Sequence, residues 1–99
     1  MRVMALLRDA EVDAALAHLP GWTRTGHAIT RRYVCRSFPD AVAFVAALVP
    51  GAEAADHHPD IAIHYRTVDV TWTTHSEGGL TAKDLAGARL ADRQWEARA

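Results

Sequence analysis

The chain has 99 residues, enough for one domain, and its 49% share of hydrophobic residues supplies a core without cross-links. We therefore expect residues 1–99 to form a single domain. The 11 basic and 12 acidic residues leave a formal net charge of -1. The chain therefore lacks the strong positive potential that attracts nucleic-acid phosphates, and we expect no nucleic-acid partner. The one cysteine, Cys35, excludes a disulfide within the chain and suits a reducing compartment.

The apolar stretches are too short for export or for crossing a membrane. The N-terminal run stops at Arg8, before it reaches the roughly 7 to 15 residues of a signal-peptide core. The longest other run, residues 41–49, falls short of the roughly 20 residues that span a bilayer. We expect a soluble, cytoplasmic protein with no membrane partner.

The first third of the chain predicts a helix followed by a β-hairpin. Residues 7–19 place apolar residues near helical spacing, with acidic residues early, where they complement the helix N-terminus. Pro20 and the glycine after it should end this helix. Residues 22–24 and 28–36 are then predicted as two strands around a turn at residues 25–27.

A second, longer helix is predicted from residue 38 to about Asp56. Ser37 can cap it, a proline follows at an early position that helices tolerate, and Asp40 supplies the capping-box acid. The apolar side of this helix is assigned to Phe38, Val42, Val45 and Val49. Pro50 is expected to kink the helix rather than end it, because the residues after it are strong helix formers.

Two more strands are predicted, at residues 60–65 and 68–75, joined by a tight turn around Arg66. Residues two apart share a face of a strand. The apolar faces are Ile61, Ile63 and Tyr65 in the first strand, and Val68, Val70 and Trp72 in the second. His75 is therefore predicted to project from the polar face at the end of the second strand.

A loop at residues 76–79 leads to the last helix, which Thr81 and Asp84 open as a capping box. The apolar side of that helix is assigned to Leu85, Ala88, Leu90 or Ala91, and Trp95. The order helix, two strands, helix, two strands, helix predicts an α+β domain. In this fold class, α-β-β-α-β-β-α, a four-stranded antiparallel sheet carries three helices on one face.

Histidine is the unusual residue of this chain, with six copies, four of them within residues 57–75. The imidazole pKa lies near neutrality, so imidazoles can donate and accept protons at cellular pH. His57 and His58 fall at the junction of a helix and a strand, and His75 ends the strand paired with it. The predicted sheet would bring these three side chains to one mouth, which indicates proton-transfer chemistry.

Three stretches of the chain carry a resemblance to a known family. They are Glu-Ala-Ala-Asp-His-His-Pro-Asp-Ile at 53–61, Thr-His at 74–75 and Gly-Leu-Thr-Ala-Lys-Asp at 79–84, with Tyr65 after the first. With this spacing the chain resembles the pterin-4a-carbinolamine dehydratases over nearly its whole length. The resemblance implies dehydration of a 4a-hydroxytetrahydropterin to the quinonoid dihydropterin. That step recycles a tetrahydrobiopterin-type cofactor after an aromatic amino acid hydroxylase has used it.

The resemblance also implies a set of site residues. Catalytic roles fall to His57, His58, His75, Glu53 and Asp84. His58 and His75 are favoured for proton transfer. Substrate contacts fall to His57, His58, Pro59, Thr74, His75, Ser76, Glu77 and Trp22.

Three of these assignments have a second interpretation. Glu53 lies one helical turn before His57, where a carboxylate can orient an imidazole, or else it is a solvated helix charge. Asp84 either belongs to the site or only caps its helix. Trp22 either covers the pterin ring or packs in the core.

Two other functions stay open. A metal site could draw imidazole ligands from His57, His58, His64 and His75. We nevertheless expect no metal, because adjacent histidines often diverge. We also expect no cofactor. The second alternative is a noncatalytic pterin-binding or regulatory dimerisation module. For the enzyme we expect a small-molecule pterin substrate, a homodimer or homotetramer, and a functional link to an aromatic amino acid hydroxylase.

Overall fold

The helices and strands follow one another in the predicted order. A computed structural model describes residues 5–98, and its elements are α1 (Asp9–Leu16), β1 (Thr23–Thr25), β2 (Ala28–Val34), α2 (Phe38–Ala55), β3 (Asp60–His64), β4 (Thr67–Trp72), a single 3₁₀ turn (His75–Glu77) and α3 (Ala82–Ala97). The α+β fold class is confirmed. Residues 1–4, which carry the start of the N-terminal apolar run, lie outside the described residues, as does residue 99.

The four strands form one antiparallel sheet in the order β1-β2-β4-β3. Its register places Tyr33 opposite Val68 and Ile61 opposite Val70. The alternation predicted for β4 is confirmed, because Val68, Val70 and Trp72 are all buried. The helices cover this face, so the core lies between them and the sheet.

α1 is shorter at both ends than the helix predicted for residues 7–19. The backbone N–H of Arg8 donates to Glu11 Oε1 over 2.9 Å, and this capping contact fixes the start. At the other end, the N–H groups of His18 and Leu19 donate to carbonyls three residues earlier. These tighter turns end the helix before the predicted residue.

α2 buries a different face from the one predicted. The residues of this helix that pack in the core are Ala41, Phe44, Leu48 and Ala52. In the predicted stripe, Phe38, Val42 and Val49 are 52%, 44% and 55% exposed, and Val45 is only partly buried. That prediction is wrong because spacings of three and four residues define two adjacent stripes on so apolar a helix. The stripe that contains small alanines lets the helix approach the sheet closely.

α2 continues through Pro50 and ends at Ala55, within one residue of the predicted end. Asp56 follows in the left-handed conformation, with φ 48°, and its backbone N–H donates to carbonyls of the last helical turn. The chain therefore changes direction immediately before His57.

By length and composition alone α2 could cross a membrane, since its 18 residues have a mean hydropathy of 1.3. Its packing assigns it to the core instead. The Phe44 ring lies against Tyr33 and Trp95, with ring centroids 4.7 and 5.4 Å away. The Cα radius of gyration of 13.4 Å matches the roughly 13 Å of one folded domain of 100 residues.

Several strand ends differ from the prediction, and the ends of β3 and β4 matter most for the histidines. β3 stops at His64, and Tyr65, with φ 56°, already belongs to the turn, so its side chain is 70% exposed instead of sharing the face of Ile63. β4 stops at Trp72, so His75 does not end a strand. It begins the 3₁₀ turn, because the chain leaves the sheet at the residues that precede it.

α3 begins with the predicted capping box. Asp84 Oδ2 accepts the backbone N–H of Thr81 at 2.9 Å, and Thr81 Oγ1 accepts that of Lys83 at 3.3 Å. The buried residues of α3 are Asp84, Gly87, Ala88 and Ala91. Of the two alternatives left open for its apolar side, Ala91 is fully buried and Leu90 is half-buried.

Candidate active site

His57 is held in place on two sides. Its Nε2 lies 2.6 Å from Asp84 Oδ1, and its ring stacks on Trp72 with centroids 5.4 Å apart and planes 25° apart. The side chain is only 11% exposed. Because a carboxylate accepts hydrogen bonds, a neutral His57 carries its proton on Nε2. Its Nδ1 is then an acceptor with no hydrogen-bond partner among residues 5–98.

Asp84 joins three parts of the chain and is fully buried. Its Oδ1 contacts His57, while its Oδ2 accepts the Thr81 N–H and the Thr74 hydroxyl, the latter over 2.8 Å. Thr74 Oγ1 and Thr81 Oγ1 are also 2.8 Å apart. The same carboxylate therefore caps α3 and also contacts an imidazole. A buried carboxylate needs such partners to remain charged.

Glu53 contacts His58 rather than His57, the imidazole one helical turn on. His58 Nε2 is hydrogen-bonded to Glu53 Oε2, and the two side chains are 54% and 67% exposed. The physical reason is the left-handed residue Asp56, which ends α2 and turns the chain immediately before His57. It directs His57 towards α3 and leaves His58 beside the last turn of α2. Consecutive histidines thus form two separate imidazole–carboxylate pairs.

Within the described residues, the three predicted histidines do not line one common cavity. His57 lines a hollow of about 210 Å³ between α2 and α3. His58 lines another of about 150 Å³, together with Glu53 and Pro59. His75 is exposed in its 3₁₀ turn and lines neither of these. The expected convergence is therefore not met by a single chain.

Thr74 links His75 to the buried pair. The N–H of Thr74 donates to the Gly79 carbonyl over 3.1 Å, which closes the loop that carries His75. Its hydroxyl donates to Asp84, the carboxylate that holds His57. Asp84 therefore fixes the position of His57 directly and that of the His75 loop through Thr74.

The remaining predicted substrate contacts differ in their exposure. Ser76 is exposed in the 3₁₀ turn, Glu77 and Pro59 are half-buried, and Thr74 is buried and engaged with Asp84. Of these side chains, Ser76 is therefore the most accessible to a ligand.

Trp22 packs in the core rather than over the histidines. It is 4% exposed, and its Nε1 donates to both carboxylate oxygens of Asp92 over 3.1 Å. Tyr33 and Arg31 donate to the same carboxylate, over 2.6 and 2.7 Å. Burial raises the pKa of Tyr33 well above its ordinary value, and the Asp92 charge adds to the rise. The predicted covering role of Trp22 is not retained, because the core holds both its ring and its N–H.

Three residues that were not predicted as site residues, Trp72, Lys83 and Arg93, also line the hollow beside His57. Trp72 was assigned only to the core, and the two cations were not singled out. The spacing of Lys83, Gly87, Leu90 and Arg93, three or four residues apart, places them along one side of α3 and could have identified this lining.

The four-histidine metal site is not formed. Residues 5–98 contain no group of three or more histidine, cysteine, aspartate or glutamate side chains placed to hold a metal ion. His57 and His58 each have Nε2 hydrogen-bonded to a carboxylate and face different hollows.

The fold and the site together define a class of protein. It is an α+β domain with imidazole–carboxylate pairs at the end of its long helix. The chain belongs to the family described as pterin 4 alpha carbinolamine dehydratase, whose model matches residues 5–94. Dehydratases of this kind are hydro-lyases. The histidine and aspartate motifs that carried the resemblance, at residues 53–61, 74–75 and 79–84, lie within the matched range.

Curated relatives agree with this family. A protein of Mycobacteroides abscessus is 50% identical over 91 residues, which cover 92% of this chain and 97% of that protein. One from Roseiflexus castenholzii is 51% identical over 88 residues, or 89% and 95% of the two chains. Both bear the name "Putative pterin-4-alpha-carbinolamine dehydratase".

Two solved structures resemble the fold. A Brucella melitensis protein, titled a transcriptional coactivator/pterin dehydratase, superimposes with a TM-score of 0.87 at 38% identity, covering 91% of this chain and 98% of its own. A pterin dehydratase-like RuBisCO assembly factor of the α-carboxysome gives a TM-score of 0.64 at 24% identity, covering 78% and 92%. The second likeness concerns the fold alone.

Proposed function

We propose that this chain dehydrates a 4a-hydroxytetrahydropterin to the quinonoid dihydropterin, using its histidines as general acid and base. The observation that carries the proposal is the pairing of two adjacent histidines with carboxylates, one pair buried and one exposed. In the reaction the C4a–O bond breaks and the hydroxyl leaves as water after receiving a proton. The N5 proton passes to a base, and a C4a–N5 double bond forms, so no oxidant or reductant is needed.

His58 and His75 remain the proposed proton-transfer pair. Both are exposed, so a ligand can reach them, and Glu53 is hydrogen-bonded to the Nε2 of His58. His57 is proposed to line the pterin pocket with its free Nδ1 as an acceptor. Pro59, Thr74, Ser76 and Glu77 are proposed to flank the substrate through side chain or backbone.

The experiment follows the decay of freshly generated 4a-hydroxytetrahydropterin. We expect His58→Ala and His75→Ala each to lower the catalysed rate by about 10²- to 10⁴-fold, the usual contribution of one general acid or base. His64→Ala is the matched control, because His64 is an exposed histidine at the end of β3 and lines neither hollow. Equal rates for all four proteins would reject catalysis by this pair.

We also propose that the chain forms a homodimer or homotetramer. Phe38, Val42 and Val49 form the exposed α2 face, an apolar surface that water covers poorly. Val49 also lines the hollow of His58, so a second copy packed on this face would help to enclose that hollow. Self-association thus supports the same chemistry.

A noncatalytic pterin-binding or regulatory dimerisation module is the alternative function, and the exposed α2 face is the observation that favours it. The two imidazole–carboxylate pairs favour the enzyme. If the chain is the enzyme, we further propose that it is cytoplasmic and that it acts together with an aromatic amino acid hydroxylase. The single cysteine, buried and unpaired, suits that location.

A further inference from the structure

The hollow between α2 and α3 offers a small apolar seat beside His57. Small or apolar side chains make up much of its wall, among them Ala55, Ala86 and Leu90. Trp72, on which His57 stacks, forms another part. The proton transfers proposed above make no use of this space.

Two cations border the hollow, Lys83 and Arg93, and both are exposed. Within residues 5–98, neither side chain makes a hydrogen bond or an ion pair. No aspartate or glutamate of that part of the chain lines the hollow. By contrast, Arg31 and Arg32 are paired with carboxylates elsewhere. The rim of the hollow therefore carries two cations, and its lining residues include no carboxylate.

An apolar seat with a cationic rim fits an organic anion. The apolar wall can contact the body of a ligand, while a lysine and an arginine bind carboxylate or phosphate oxygens through charge-assisted hydrogen bonds. A neutral substituent would fill the seat but leave both cations in water. The arrangement therefore distinguishes ligands by charge.

We propose that the pterins bound by this chain carry an anionic side chain, which lies in this hollow and is held by Lys83 and Arg93. The proposal rests on the dehydratase function, because His57 is the residue that joins the hollow to the pterin chemistry. It names a substrate class, namely pterins with a carboxylate or phosphate on the ring substituent.

Isothermal titration with two stable, oxidised pterins tests this directly. At low salt, wild type should bind pterin-6-carboxylate about tenfold more tightly than neutral 6-hydroxymethylpterin, and the preference should shrink as salt screens the charges. Lys83→Gln and Arg93→Gln should each lose most of the preference while keeping their affinity for the neutral pterin. Arg66→Gln, which removes an exposed cation from the turn between β3 and β4, should retain it.

Two results would overturn the proposal and leave the dehydratase function standing. One is equal affinity of the wild type for the two pterins. The other is a preference that survives in both variants, because the anion would then be held elsewhere. Failure of both pterins to bind would count against the dehydratase function as well. Comparing the decay of 4a-hydroxytetrahydropterin with the wild type and with His58→Ala then shows whether the dehydratase function itself fails.

Discussion

His57 and His58 are neighbours in sequence, yet one is paired with a buried carboxylate and the other with an exposed one. The pair of His57 with Asp84 is buried, so solvent and salt screen it little, and it fixes the ring. The pair of His58 with Glu53 is exposed, and its strength should fall as salt rises. We therefore expect Asp84 to act as a positioning residue and Glu53 to be the more weakly coupled partner.

Asp84→Asn tests the positioning role. Asparagine keeps the size of the side chain, but its single oxygen cannot accept on both sides, from the Thr81 N–H and from the Nε2–H of His57, as the two carboxylate oxygens do. We expect kcat to fall about 10- to 100-fold, as when a partner that orients a functional histidine is lost. The free energy of unfolding should fall by about 1–3 kcal/mol, because buried hydrogen bonds are disturbed.

Steady-state kinetics and thermal unfolding separate the two effects. Asp69→Asn is the control, because Asp69 pairs with Arg32 on the exposed side of the sheet and should leave kcat unchanged. A variant Asp84→Asn with lower stability but a wild-type kcat would reduce Asp84 to a helix cap.

At the scale of the elements, α3 approaches β4 so closely that Gly87 has no room for a side chain. A methyl group there would overlap the Trp72 ring, which also supports His57. Gly51 of α2 is similarly close to Leu90, but only to the end of that flexible side chain. The position of the His57 ring therefore depends more on Gly87 than on Gly51.

Gly87→Ala should destabilise the protein by about 1–3 kcal/mol, the usual cost of overpacking a core, and should lower activity by displacing Trp72. Gly51→Ala is the matched substitution, since the Leu90 methyl groups can move. It should change stability little or raise it, because alanine is a helix former better than glycine by about 1 kcal/mol. Thermal unfolding measures both, and equal destabilisation by the two substitutions would contradict the special role of Gly87.

Elements governed by local patterns could be predicted from the sequence. The alternation of Val68, Val70 and Trp72 identified the buried face of β4, and the Thr81–Asp84 box identified the start of α3. The buried face of α2 could not be predicted, because nearly all of its positions are apolar or alanine. Which stripe faces the sheet depends on packing against other elements.

For the candidate site, the sequence supplied a set of proposed residues but not their geometry. The resemblance identified His57, His58 and Asp84, whereas their pairing depends on the left-handed Asp56, which no pattern in the sequence marked. The end of β4 depends on contacts of Thr74 with residues further along the chain. Long-range hydrogen bonds of this kind are not encoded in local spacing.

At the scale of the whole molecule, the exposed α2 face leads us to expect self-association. Val42→Lys should convert the wild-type oligomer to a smaller species in light scattering, because a charge in an apolar interface would have to be desolvated. Ala54→Lys, also exposed on α2 but on another side of the helix, is the control and should keep the wild-type mass. A monomeric wild type, or an unchanged mass for Val42→Lys, would contradict an interface on this face.

The most direct measurement of the central claim is the rate at which 4a-hydroxytetrahydropterin loses water with and without a catalytic amount of the wild-type chain. We predict that the chain accelerates formation of the quinonoid product at neutral pH through many turnovers, without an added metal or cofactor. A rate indistinguishable from that in buffer, measured with folded protein at its native oligomeric state, would contradict the dehydratase function.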